Sequence, residues 1–328
     1  YRRVFPDRMA RRTVVVIPSL TLDPAELAKI DGAHHYEERM LFLLMLLQMP
    51  HTRLIYVTSQ SISQTVIDYF LHLLPGIPST HARRRLHLFN CCDASDLPLA
   101  QKILDRPRLI GKIKAVIPDP TTAHMSCFNA TPLERDLAIK LGIPLYANDP
   151  DLEHLGSKTG SRTMLKQAGL NVPDGFEDLQ DIHEVVDALT RLKKRNSALN
   201  KAVIKLNEGF SGEGNATFSY AGCPDQDLKT WIETELPERI RFEAAGETWP
   251  EFCNKFSAMH GIVETFIDGT NTCSPSVQCR INPLGEVEII STHDQILGGP
   301  SGQIFLGCTF PARPEYRLKL QDAGRAVG

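Results

Sequence analysis

Five short runs of strand-forming residues recur through the first 150 positions, separated by longer stretches whose apolar residues keep helical spacing. That alternation admits few folds, because parallel strands need long crossover connections and a helix is the usual crossover. Thr13 to Ile17, Arg53 to Thr58, Leu86 to Phe89, Ala115 to Ile117 and Pro144 to Ala147 read as strands. Glu37 to Gln48, Ser63 to Leu74, Leu97 to Leu104 and Pro132 to Leu141 read as helices. The prediction for residues 1–150 is an α/β domain, an open doubly wound sheet. Such sheets bind ligands beyond the carboxyl ends of their strands, yet PSLTLDP follows the first strand where a G-x-G-x-x-G turn would stand. Dinucleotide binding is therefore disfavoured in this half.

Composition narrows the function classes. With 328 residues, 42% hydrophobic and 23% charged, the chain can bury more than one core, and a formal charge of -3 offers no nucleic-acid-binding surface. Arg83, Arg84 and Arg85 read as solvated surface. The eight cysteines include no C-x-x-C pair, and no histidine cluster follows at zinc spacing, so a reducing compartment with free thiols is expected and no metal ligand is assigned. Cys91 and Cys92 read as small buried residues rather than a redox pair. The longest apolar run, Met40 to Leu47, is far too short to span a bilayer and reads as a helix buried on most sides. The polar, helix-like segment in which the sequence stops suggests a fragment of a longer chain.

From residue 151 to 328 the pattern changes to a second domain. Ser157 is placed to cap a helix over Lys158 to Ala168, Gly169 fits the position after it, and Pro173 prevents its resumption. Lys158 and Arg162 lie four apart on one face, within about the first two turns. A cation there is opposed by the helix dipole by roughly 0.3 to 1 kcal/mol, a penalty that a bound anion would reverse. Two readings stand: phosphate meeting free N–H groups and both side chains, or two long side chains pointing into water. After a helical pattern from Asp181 to Arg195 comes AVIKLNEGFSGEGNATF, Ala202 to Phe218. Alternation sets Val203 and Lys205 on one strand face and Ala202, Ile204 and Leu206 on the other. Lys205 then needs a partner or an exit to water. The glycines Gly209, Gly212 and Gly214 are either turn chemistry or a cradle for phosphate oxygens.

Asp225 to Met259 reads as a helical insert anchored by Trp231, Leu236, Phe242, Trp249, Phe252 and Phe256, and GIVETFIDG as a short strand ending at Asp268-Gly269. SPSVQCRI and GEVEIIST follow as alternating strands, with Glu286 and Glu288 placed for cross-strand pairing with Arg280. The second strand leads into a loop from Gly298 to Gly302. His293-Asp294 is an adjacent pair without a placed nucleophile, which is weak evidence for catalysis.

In order and spacing, LGSKTGSRTMLKQAGLNVPDG, AVIKLNEGFSGEGNATF and GIVETFIDG behind a Rossmann-like domain resemble the ATP-grasp superfamily. YEERMLFLL, LIYVTSQSI, LERDLAIKLGIPLYANDP and SPSVQCRINPLGEVEIISTHDQILGGPSGQIFLGC resemble its pheganomycin-type peptide ligases and, among eukaryotic proteins, IQ motif-containing protein H. The resemblance implies a Rossmann-like pre-ATP-grasp domain over 1–150 and an α+β ATP-grasp domain over 151–328, truncated at its C-terminus. It implies that two lobes contribute the ammonium groups of Lys158 and Lys205 to one polyphosphate. Arg162 stands beside them, and Gly209, Ser211, Gly212 and Gly214 fold over the triphosphate. Glu264, Thr265, Phe266 and Ile267 would form the hinge whose backbone reads adenine. Thr270 and Asn271 stand where many members carry an acidic ribose ligand. Mg²⁺ would be held by residues beyond 328, with Glu286, Glu288 and Asp294 the substitutes in view.

The chemistry so implied is ADP-forming ligation of a carboxylate to an amine or peptide through an acyl phosphate, which requires positioned cations and no side-chain nucleophile. Arg280 could orient the substrate carboxylate by a bidentate contact. The alternative is a non-catalytic ATP-grasp-derived scaffold in a larger protein, with calmodulin bound through a region outside this chain, since no IQ-x-x-x-R-G pattern occurs here. A cytoplasmic location, with ciliary or flagellar association, goes with the same resemblance.

Overall fold

A computed structural model describes residues 1–21, 33–209, 212, 214–269 and 272–328. The chain divides into two compact units, Tyr1–Glu153 and His154–Gly328. In the first, β1 (Arg12–Ile17), β2 (Thr52–Thr58), β3 (Leu86–Asn90) and β4 (Ala123–Cys127) form a parallel sheet in the order β3-β2-β1-β4. Both faces are covered, as a doubly wound sheet requires. Val14, Val16, Leu54 and Tyr56 pack against Met40, Leu41, Leu44 and Leu47 and against α1 (Gln64–His72). Val15, Ile17, Ile55 and Val57 pack against α2 (Leu99–Leu104), α3 (Pro107–Ala115) and α4 (Pro132–Leu141). Val14 to Ile17 of β1 alternate between the two cores, which is why VVVI is apolar without interruption, and the strand is buried throughout.

The structure corrects several expectations here. Ala115 to Ile117 is not a strand: Ala115 closes α3, whose Pro107 start and inward Ile110 and Ile113 make that segment helical. The fourth strand is instead AHMSC, which lacks a β-branched run and buries Ala123 and Met125 by alternation. Pro144 to Ala147 makes a single parallel bridge, Leu145 to Met125. Ala33–Gln48 is a 3-10-type helix that leaves Phe42 exposed. Arg85 is not solvated surface, since its guanidinium donates to the carbonyls of Leu47, Met49 and Thr52. All eight thiols are free, and of the adjacent pair only Cys91 is buried, which raises its pKa to about 11, while Cys92 is exposed. Among the described residues no helix is long and apolar enough to cross a membrane.

The second unit begins with α5 (Lys158–Gln167) and holds an antiparallel sheet in the order β5-β9-β6-β7-β8. Its strands are β5 (Gly175–Leu179), β6 (Lys201–Leu206), β7 (Asn215–Ser219), β8 (Arg241–Phe242) and β9 (Gly261–Thr265). One face carries Ala202, Ile204, Leu206, Ala216, Phe218 and Val263. These are buried beneath α6 (Ile182–Arg195), α7 (Leu228–Arg239) and α8 (Trp249–Met259). Each such apolar side chain contributes about 1.5–3 kcal/mol on burial. The insert anchors Leu236, Phe252 and Phe256 are buried as the pattern predicts, with Trp231, Phe242 and Trp249 packed at the margin. On the other face α5 lies on β5 and β9.

A second antiparallel sheet joins β10 (Ser274–Ile281), β11 (Val287–Gly298) and β12 (Ile304–Thr309), and α9 (Pro314–Val327) packs on it. β11 runs on through His293-Asp294 to Gly298. Asp294 accepts from the Arg313 backbone and the Tyr316 hydroxyl, so it anchors α9, and the His293 ring lies against Phe310.

Candidate functional site: a buried ion network beneath two lysines

The alternation of β6 brings Lys205 to the face away from the main core, and the antiparallel register places Val203 opposite Glu264 on β9. Glu264 is thereby diagonal to Lys205 on the same face. Lys205 Nζ donates to Glu264 Oε1 at 2.5 Å. The other carboxylate oxygen accepts from an Arg162 terminal nitrogen, which reaches down from α5. Arg162 Nε donates to Glu177 Oε1 at 2.7 Å, its remaining terminal nitrogen donates to the Pro173 carbonyl at 2.7 Å, and Lys166 Nζ meets the same Glu177 oxygen at 2.5 Å. The Arg162 and Glu264 side chains are 6% and 9% exposed, whereas Lys205 keeps 22%, so the network has a dry floor and one ammonium near its surface.

Lys158 is the second ammonium. Burial lowers its pKa, and the charge of Lys205 lowers it further, with Glu208 and Glu264 opposing. A bound anion would favour the charged form of such a lysine and offset both causes. Among the described residues nothing hydrogen-bonds or ion-pairs with Lys158 Nζ.

Both cations belong to one compact unit, since α5 lies on the sheet that contains β6. That corrects the expectation of contributions from two lobes. The start of α5 is also not an open phosphate cradle. Ser157 N–H donates to the His154 carbonyl, Lys158 N–H to the Asn207 carbonyl at 3.1 Å, Thr159 N–H to Asn207 Oδ1 at 3.0 Å and Gly160 N–H to Ser157 Oγ at 2.9 Å. These are the four donors a helix start leaves unpaired, and all are taken. Arg162 does not point into water: its guanidinium donates to Glu177, Glu264 and the Pro173 carbonyl. The negative charge that its place near the helix start calls for comes from Glu177 and Glu264 inside the protein.

The glycine hairpin has a pinched neck. A Cβ on Gly209 would stand 2.7 Å from the Gly214 Cα, and one on Gly214 would stand 2.6 Å from the Gly209 Cα, so only glycine fits either position. Gly212, with φ +94°, would direct a Cβ to 2.4 Å from the Gln303 carbonyl oxygen, and Asn215 Nδ2 donates to Gln303 Oε1 at 3.2 Å. Ser211 lies outside the described residues, as do Thr270 and Asn271. Gly209→Ala is expected to lower unfolding free energy by about 1–3 kcal/mol through overpacking of the neck. An unchanged urea midpoint would show that the neck is not closed.

In the hinge, Glu264 acts through its carboxylate rather than its backbone. The Thr265 N–H donates to the Asp174 carbonyl at 2.8 Å and the Phe266 N–H to the Lys201 carbonyl at 3.2 Å, so neither is left to read a base. Ile267, 68% exposed, is the first hinge residue beyond those bonds. Arg280 takes the cross-strand option, opposite Glu288 and ion-paired with it. Asn282 donates to both Glu286 and Glu288, and Asp294 is committed to α9. The three acids held in view for Mg²⁺ are thus engaged by other groups, and among the described residues no cluster of three or more ligand-type side chains could hold a metal. These residues do not fit the ion.

A cleft of about 510 Å³ runs along α5 past Thr159, Thr163, Asp178, Asn207 and Glu208. Neither Lys158 nor Lys205 lines it, and Asp178 and Glu208 give it two carboxylates, which would repel polyphosphate. Residues missed in the sequence are Asn207, Glu177 and Lys166. Nothing local distinguishes Asn207, a polar residue in a turn, as the cap of a helix that begins 49 positions earlier.

No protein-family model matches the chain. It is 28% identical over 325 residues to an L-propargylglycine–L-glutamate ligase of Streptantibioticus cattleyicolor, covering 96% of this chain and 64% of that protein. It is 23% identical over 351 residues to IQ motif-containing protein H of Danio rerio, covering 92% of this chain and 32% of that one. The chain therefore spans less than two thirds of the length of these relatives. Among solved structures, an ADP complex of N5-carboxyaminoimidazole ribonucleotide synthetase aligns with a TM-score of 0.54 at 12% identity, covering 97% of this chain and 63% of that one. The Staphylococcus aureus N5-carboxyaminoimidazole synthetase gives 0.52 at 10%, with the same coverage. With a parallel, Rossmann-like unit followed by an α+β unit of two antiparallel sheets, the chain has the ATP-grasp fold.

Proposed function

We propose that the chain is the ATP-binding part of an ADP-forming carboxylate–amine ligase, with Lys158 and Lys205 as its polyphosphate cations. The observation that carries this reading is a half-buried Lys158 whose pKa is lowered by burial and by the nearby charge of Lys205, and which among the described residues has no ionic partner. The amino-acid ligase among the relatives supports the reaction class. In that reaction a carboxylate oxygen attacks the γ-phosphorus, ADP leaves, and an amine then displaces phosphate from the acyl phosphate. The substrates would be a small carboxylate and an amine or peptide. Negative charge spreads over the phosphoryl oxygens, and two ammonium groups above a dry ionic floor stabilise it with little reorganisation. Mg²⁺, which superfamily chemistry calls for, would shield the same oxygens, and the described residues supply no fitted set of ligands for it.

A second reading, a nucleotide-binding scaffold without turnover, draws on the similarity to IQ motif-containing protein H. Calorimetric titration with ATP, followed by an ADP-release assay against pooled amino acids and peptides, separates the two. Binding with release supports the ligase, binding without release supports the scaffold, and no binding removes both.

The lowered pKa of Lys158 adds a signed prediction. A bound polyanion favours the ammonium and raises that pKa again, so ATP binding should take up protons on the alkaline side, and affinity should fall as pH rises through the depressed value. Titration in two buffers of different ionisation enthalpy measures the uptake. Proton release would contradict the assignment.

A further inference from the structure

We infer that Arg162 and Glu264 are positioning residues that set both the place and the net charge of the Lys205 ammonium without themselves touching the nucleotide. The inference rests on the nucleotide reading and extends it to two side chains that sit beneath the phosphate site.

Lys205 ends a long flexible stem, and a lysine in that position would ordinarily sample many rotamers, which a ligand would then have to restrict. Here one of its three donors is fixed by Glu264 Oε1 at 2.5 Å, which leaves two for an incoming anion. A lone Glu264, however, would neutralise the ammonium that it holds. Arg162 prevents this by occupying the second carboxylate oxygen, so the three groups together keep one positive charge. Arg162 in turn cannot move toward a ligand, because its Nε and other terminal nitrogen are held by Glu177 and the Pro173 carbonyl and its side chain is 6% exposed. Charges along the line run Lys166, Glu177, Arg162, Glu264, Lys205, alternating in sign from one surface ammonium to the other. A carboxylate shared by two buried or half-buried cations is placed to hold them, and the two hold it in return.

A double-mutant cycle on the whole chain, with ATP as the probe, tests this. Glu264→Gln keeps shape and releases Lys205, and should weaken ATP binding about tenfold, the low end for a charge-assisted contact. In a Lys205→Ala background the same substitution should produce no weakening. Arg162→Lys, which keeps the charge but cannot span Glu264, Glu177 and Pro173 together, should follow the same pattern with a smaller effect. Equal weakening by Glu264→Gln in both backgrounds would overturn the inference, because it would mean direct contact with nucleotide or general loosening of the fold. No change in the native background would overturn it as well. Failure of the native chain to bind ATP would instead remove the nucleotide reading, and the inference with it.

Discussion

Replacing Arg162 by methionine is expected to lower the free energy of unfolding by about 3–5 kcal/mol, the usual consequence of removing one partner from a buried ion pair. Most of that loss is the desolvation of the carboxylate left behind, since Glu264 is 9% exposed and would retain only Lys205. Methionine is chosen because its length preserves much of the packing, so that charge and hydrogen bonds are what is removed. Urea denaturation would show a lower midpoint with an unchanged slope. A shift of less than about 1 kcal/mol, the range of surface ion pairs, would mean that Arg162 is solvated and the network does not exist in solution.

Lys205→Ala is expected to weaken ATP binding by about ten- to hundredfold, because a charge-assisted hydrogen bond contributes about 1.5–3 kcal/mol. Stability should change far less than for Arg162, since Lys205 is nearer the surface and Glu264 keeps its bond to Arg162. Lys158→Ala should weaken ATP binding to a similar degree, and among the described residues Lys158 has no ion pair of its own to lose. Unchanged affinity in Lys205→Ala, measured by the same titration, would defeat the assignment of these lysines to a polyphosphate.

The two substitutions together separate floor from surface, a distinction that the sequence does not carry. Arg162 and Lys158 share a helix face in the sequence and look equivalent, yet one is a sealed internal cation and the other has no ionic partner among the described residues. Their difference arises because Glu264, 102 positions away, arrives beneath Arg162. Arg280 shows the opposite case, where strand register was legible: alternation and turn length placed it opposite the Glu286/Glu288 face, and the cross-strand pair is what forms.

Ala115 to Ile117 and Ala123–Cys127 show why short apolar runs mislead. Three β-branched or small residues closing an amphipathic helix resemble a strand, whereas AHMSC is a strand because parallel pairing with β1 supplies its hydrogen bonds. Composition carries little weight against a neighbouring strand whose backbone groups need partners.

Residues 1–328 by themselves determined the alternation of strands and helices, the apolar faces of β1 and β6, the Ser157 cap and the positions of Lys158, Lys205 and the glycine neck, because each depends on a periodicity of two or 3.6 that neighbouring residues express locally. Only the tertiary structure decided that Asn207 closes the start of α5, that Glu264 works through its carboxylate, and that Arg162 is buried. Those outcomes turn on which charges and donors meet across tens of residues, and burial then makes each pairing obligatory, since an unpaired group in a dry site is too costly to persist.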